Sequence, residues 1–162
     1  MHINTNAWIA PDACVKGHVE IESGASVWFQ TVIRSEHANI RIGKNTNIQD
    51  RCVLHTDAHY DTIVEEGCTI GHGAILHGCH VHKNTLIGMG AIVLNGADIG
   101  KNSIVGAGSL VTSGKRFEEG MLIMGSPARA VRPLTEEEIE ANRQNAAEYV
   151  ALAAEYKAGK WA

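Results

Sequence analysis

Branched aliphatic residues return every six positions along most of this chain, and that period decides what it can fold into. They stand at Ile9, Val15, Ile21, Val27 and Ile33, then at Ile42, Ile48 and Leu54, then at Val64, Ile70 and Leu76. A final unbroken series runs through Val81, Ile87, Val93, Ile99, Val105 and Val111. The residue after the aliphatic is often glycine (Gly43, Gly71, Gly88, Gly100, Gly106), and the fifth residue of a unit is mostly small, as at Ala25, Thr46, Cys52, Cys68, Ala74 and Ala91. Such a repeat predicts an all-β solenoid, a parallel β-helix in which each hexapeptide makes one short strand and one turn. Three units close a triangular coil, with the aliphatic and the small residue pointing inward. Coils stack as neighbouring strands about 4.8 Å apart. The seventeen units predict between five and six coils.

The repeat is expected to fill residues 1–124, followed by a turn-rich connector over 125–134 that contains Gly125-Ser-Pro-Ala-Arg. Thr135-Glu-Glu-Glu138 then reads as a capping box. From there to residue 158 the spacing predicts an amphipathic helix with Ile139, Tyr149, Val150, Leu152, Ala153 and Tyr156 on its apolar stripe, packed on the β-helix or a neighbouring subunit within one overall domain.

The bulk properties narrow the function classes. The formal net charge is −4 and no basic stripe stands out, which argues against nucleic acid as a partner. No apolar run approaches the roughly 18–20 residues of a membrane span. The first residues lack the basic and apolar regions of a signal peptide, so a cytoplasmic protein is expected. Cys14, Cys52, Cys68 and Cys79 form no CxxC pair, against both a cysteine-rich zinc site and a disulfide framework.

Three of the nine histidines stand out because the lattice gives their directions. The phase breaks three times. Three extra residues between Ile33 and Ile42 predict an outward loop within Arg34–Asn39, four extra between Leu54 and Val64 predict a second within His55–Asp61, and one residue is missing between Ile70 and Val81. His55 and His77 each follow an aliphatic directly and lie 22 residues apart; subtracting the four-residue insertion leaves 18, one full coil. Their imidazoles are therefore expected on one face at about 5 Å spacing, well placed for one metal ion. His72 falls on the adjoining face or corner, and a three-fold oligomer would bring it against the His55/His77 face of the next subunit. Three imidazoles with an open fourth position match catalytic zinc, which lowers the pKa of bound water to about 7. His2, His18, His80 and His82 are read as ordinary surface histidines.

Arg34, Asn47, Gln49, Asp50, His55 and the Gly71-His72…His77-Gly78 spacing together resemble the γ-class carbonic anhydrases, over nearly the whole chain. The resemblance implies a left-handed β-helix and a homotrimer. It also implies zinc, or iron or cobalt, at each subunit interface, held by His55 and His77 of one chain and His72 of the next. It implies reversible hydration of CO₂ to bicarbonate by a metal-bound hydroxide, with Gln49 orienting that group and Asn47 lining the site. Arg34 and Asp50 resemble an interface ion pair bordering the pocket, and Glu36 stands where the family often has Asp. The acidic proton-shuttle loop of the best-studied members is missing: Thr56-Asp-Ala-His-Tyr-Asp61 has no Glu. His59 is the leading substitute, since imidazole titrates near neutral pH, with Asp57 and Tyr60 behind it. The competing readings are a metal-assisted acyl-CoA thioesterase or hexapeptide acyltransferase, and a non-catalytic trimeric metal-binding scaffold.

Overall fold

The computed structural model describes residues 1–161. Its strands stack into three walls of a parallel β-solenoid of about seven turns, closed by one C-terminal helix. The first wall contains Trp8–Ile9, Ser26–Val27, Asn47–Ile48, Thr69–Ile70, Leu86–Ile87, Ile104–Val105 and Met121–Gly125. The second contains Val53–His55, Ile75–His77, Ile92–Val93 and Leu110–Val111, and the third Thr62–Val64, His80–Val81, Asp98–Ile99 and Arg116–Phe117. Cys14–Ile21 and Val32–Ile42 run unbroken around the corner between the second and third walls and join them into one sheet.

The hexapeptide aliphatics are the core, as the repeat requires. Ile33, Leu54, Leu76, Val93 and Val111 stack in register on the second wall and are fully buried. Burying each such side chain is worth about 1.5–3 kcal/mol. Cys52 and Cys68 occupy the small inward slot, and burial pushes their thiols and that of Cys79 up to about 12. Their burial and raised thiols make them part of the hydrophobic core.

The prism is longer than the repeat scan predicts. Ile3, Phe117 and Ile123 keep the six-residue spacing at the two ends and pack in or against the core. Ile3 precedes the first unit counted, and Phe117 breaks the Ile/Val/Leu pattern with an aromatic. The three extra residues after Ile33 are also not a detached loop. They stay in the strand as a bulge: Gly17 pairs with Ser35 and Val19 with Ile40, so two steps on one strand face five on the other. Ser35 and Ala38 remain buried, while Arg34, Glu36 and His37 project outward. The single deletion falls after His77, where Leu76 and Val81 are five apart, and His55 stays in register with His77. Gly78 sits at that shortened corner with φ +61°, and a Cβ there would lie 2.7 Å from both Tyr60 and Asn95.

Within the connector region, Ala128–Pro133 forms a strand antiparallel to Met121–Gly125 and covers the last edge of the first wall. The helix spans Glu136–Lys157, with Thr135 as N-cap and Glu138 completing the capping box. It lies along the first wall. Besides the apolar stripe its docking face carries two asparagines: Asn142 donates to the carbonyls of Asn84 and Ser103, and Asn145 accepts from Thr69. Tyr149 and Tyr156 close against Trp8 and Trp28.

Candidate metal centre

The residues singled out from the sequence fall into two groups at opposite edges of the second wall. At the edge toward the third wall are His55 and His77, partners in adjacent coils. Their ring centroids are 5.0 Å apart, and His55 Nδ1 faces His77 Nε2 at 3.0 Å. The other ring nitrogens have acceptors. His55 Nε2 donates to Glu36 Oε2 at 3.0 Å, and His77 Nδ1 donates to Asn95 Oδ1. Glu36 also pairs with Arg34. The hydrogen bond from His55, with Arg34 beside it, holds the Glu36 carboxyl below the usual range.

With both N–H groups turned outward, two lone pairs confront each other, which is unfavourable unless a proton or a cation lies between them. Two ligand nitrogens on one tetrahedral zinc, each at 2.0–2.1 Å, stand about 3.3 Å apart. The observed 3.0 Å is an ordinary hydrogen-bond distance, and a separation about 0.3 Å wider would suit a shared tetrahedral ion. Acceptors behind metal-ligating histidines fix the tautomer in this way as a rule.

The second group surrounds His72, at the corner between Thr69–Ile70 and Ile75–His77. His72 Nδ1 lies 2.8 Å from Asp50 Oδ2, so the proton sits on Nδ1 and the lone pair on Nε2. The His72 side chain is 42% exposed, leaving that nitrogen accessible to another molecule. Gln49 and Asn47 are buried beside it. The His72 backbone N–H donates to Gln49 Oε1 (3.1 Å), Gln49 Nε2 donates to Asn47 Oδ1 (3.1 Å), and Asn47 Nδ2 donates to Thr69 Oγ1 (3.0 Å).

His72 does not join His55 and His77 within one chain. Among the described residues, the one group of three side chains whose ligand atoms converge is Glu65, His80 and His82. Arg34 and Asp50 likewise do not pair within the chain, each being engaged in its own group. Between the two edges, the outward column Val32, Val53, Ile75, Ile92 and Leu110 is apolar and in register. Val53 is 39% and Ile75 37% exposed, unusual for branched aliphatics on a single solvated chain.

Asn95 escapes the sequence reading, yet it anchors His77 and donates to Asp57 Oδ2 (3.2 Å), tying the second insertion to the site. Its signal is faint, because the one-residue deletion shortens this coil to 17 residues and Asn95 falls one place past the His77 register. His59 lies exposed on that loop, and its ring makes no hydrogen bond among the described residues. His80 and His82 are not simply solvated: both contact Glu65.

A triangular solenoid with these edges places the chain among the left-handed β-helix proteins of hexapeptide repeats. The family model described as "Bacterial transferase hexapeptide (six repeats)" matches residues 78–113. The chain is 52% identical over 150 residues to a "Probable carbonic anhydrase" of Methanocaldococcus jannaschii, covering 93% of this chain and 94% of that one. It is 40% identical to "Gamma carbonic anhydrase 1, mitochondrial" of Arabidopsis thaliana, over 93% of this chain and 57% of the plant protein. A Bacillus cereus crystal structure described as a "putative acetyltransferase" superposes with a TM-score of 0.95 at 41% identity, covering 97% and 91% of the two chains. The chain belongs to the γ carbonic anhydrase family.

Proposed function

We propose that this protein is a homotrimeric γ-type carbonic anhydrase whose sites lie between subunits, with His55 and His77 from one chain and His72 from the next. The observation that carries the reading is the common state of the three imidazoles. Each has one ring nitrogen set against an acceptor; the remaining nitrogens of His55 and His77 face each other at 3.0 Å, and that of His72 is uncommitted among the described residues. Zinc held by three imidazoles, or iron or cobalt in its place, supplies Lewis acidity that brings the pKa of a coordinated water to about 7. The apolar column between the two edges supports a subunit contact running from one half-site to the other.

The neighbouring side chains then take separable roles. Asn47 uses Nδ2 on Thr69 and the Cys68 carbonyl and accepts from Gln49, so it positions Gln49 and has no donor left for a substrate. Gln49 has one amide N–H uncommitted, with its orientation set from both ends, and is assigned to orient bicarbonate. Arg34, which pairs with Glu36, and Asp50, which pairs with His72, each stand at the rim of a different half-site and are assigned as an ion pair across the contact. His59 is the group assigned to carry protons to solvent, with Glu36 beside His55 as a nearer acceptor.

Stopped-flow CO₂ hydration on zinc- and iron-loaded protein tests the activity. The shared site is tested by mixing two inactive variants, His72→Ala and His77→Ala. Random co-assembly regenerates an intact site at about one interface in four of a cyclic trimer. Recovery of roughly that fraction of metal and activity supports the arrangement, and no recovery from verified mixed trimers refutes it. The likeness to the Bacillus cereus structure keeps acyl transfer or thioester hydrolysis as the second reading, favoured if acyl-CoA turnover appears where CO₂ hydration does not.

A further inference from the structure

The third wall carries a second constellation of ligand-type side chains, separate from the histidines assigned above. His80 opens the strand His80–Val81 and His82 follows it directly, two places on, and the two imidazoles stack at 3.9 Å. The strand below ends at Val64, in register with Val81, which sets Glu65 beside His82. The strand above sets Asp98 in register with His80. His80 Nε2 lies 2.8 Å and His82 Nδ1 3.2 Å from the same oxygen, Glu65 Oε1. The other Glu65 oxygen accepts the Lys83 backbone N–H, and the far nitrogen of His82 is held by Asp98 Oδ1 at 3.1 Å.

We propose that Glu65, His80 and His82 form a second divalent-metal site, with Asp98 as the carboxylate that orients His82. Two nitrogens and one oxygen lie within 4.8 Å of one another, and Asp98 occupies the place behind a ligating histidine that fixes its tautomer. Imidazole with carboxylate selects zinc, nickel or copper over magnesium or calcium, which prefer all-oxygen shells. The side chains are about one-third exposed. Glu65 and His80 also line a surface cleft of mixed charge with Glu22, Arg41, Lys44, Glu66 and Lys83, so the ion is reachable from solvent.

Titration with Zn²⁺ alone, followed calorimetrically, tests the proposal in the His55→Ala/His77→Ala variant, which lacks the interfacial imidazole pair. About one Zn²⁺ per chain is expected, unaffected by a thousandfold excess of Mg²⁺. Adding His80→Gln and His82→Gln should abolish it, and Asp98→Ala should weaken it by about 10–100-fold at unchanged stoichiometry. Should the double-alanine variant misfold, His80→Gln/His82→Gln in the otherwise native trimer must lower bound zinc by one per chain while CO₂ hydration persists. Zinc binding that is absent in both folded backgrounds, or that survives loss of both His80 and His82, overturns the proposal. Failure of the interfacial reading shows separately, as a loss of no metal on His72→Ala.

Discussion

Asn95 offers the sharpest test of how the His55/His77 half-site is held. Its carbonyl oxygen accepts the His77 Nδ1 proton and its amide nitrogen donates to Asp57 Oδ2 at 3.2 Å, a chain of two bonds that fixes one tautomer. Replacing it with leucine keeps the volume and removes both. Partners behind a ligating histidine are worth about 10–100-fold in metal affinity, or roughly 1.4–2.7 kcal/mol. The bonds lie at a part-buried corner, so the metal-free fold should lose only about 1 kcal/mol. Chelator competition for zinc should therefore show the affinity loss with little change in the denaturation midpoint. Asn95→Asp alone sets two carboxylates against each other at the Asp57 contact. The exchange Asn95→Asp with Asp57→Asn restores both donor–acceptor pairs and should bind zinc within a few-fold of wild type. If Asn95→Leu stays within twofold of wild type, or the exchange is no better than Asn95→Leu, the orienting role is wrong.

Three further outcomes are expected. Val53→Glu with Ile75→Glu places charge on the outward apolar column, and light scattering should report folded chains of monomer mass that have lost zinc at the His55/His77 site but keep their circular dichroism. Leu76→Ala opens a cavity in a fully buried position between Leu54 and Val93 and should cost about 2–5 kcal/mol in urea unfolding. The Glu138 carboxyl is drawn down to about 2 by Arg132 and the Thr135 N–H, and its folded pKa lies below its ordinary 4.5. The stability it adds is present above pH 4.5 and is lost as pH falls toward 2, and thermal melts of Glu138→Gln should lack that part of the acid dependence.

Much of this architecture was legible because a solenoid turns sequence distance into position. His55 and His77 could be paired from the page because an insertion leaves the lattice and returns to it, so removing four residues restores a whole coil. Glu36 was less legible in its role: only the bulged path of Val32–Ile42 shows that the three extra residues stay in the sheet and aim its carboxylate at His55. The Glu65/His80/His82 group was hidden by the one-residue deletion. Val64 and Val81 are in register at a separation of 17, so a search at multiples of six misses the strand pair that brings Glu65 beside His82. Aromatic Phe117 in an aliphatic slot hid the last turns in a similar way.

The same lattice bears on why the proposed His55/His72/His77 site would draw on another chain and the proposed Glu65/His80/His82 site would not. Positions one coil apart are about 5 Å apart, and alternate positions on a strand are about 6.6 Å apart, so neighbouring side chains on one face can close on a single ion. Glu65, His80 and His82 satisfy both spacings on the third wall, and Asp98 adds the next coil. His55 and His77 satisfy only the first, and the nearest remaining imidazole of the trio, His72, lies across the second wall beyond an apolar column. No rotamer change crosses a wall, whereas rotating an identical chain about a three-fold axis exchanges one edge for the other. An outward-facing aliphatic stripe framed by two incomplete ligand sets is therefore what a chain must carry if burying that stripe is also what completes its site.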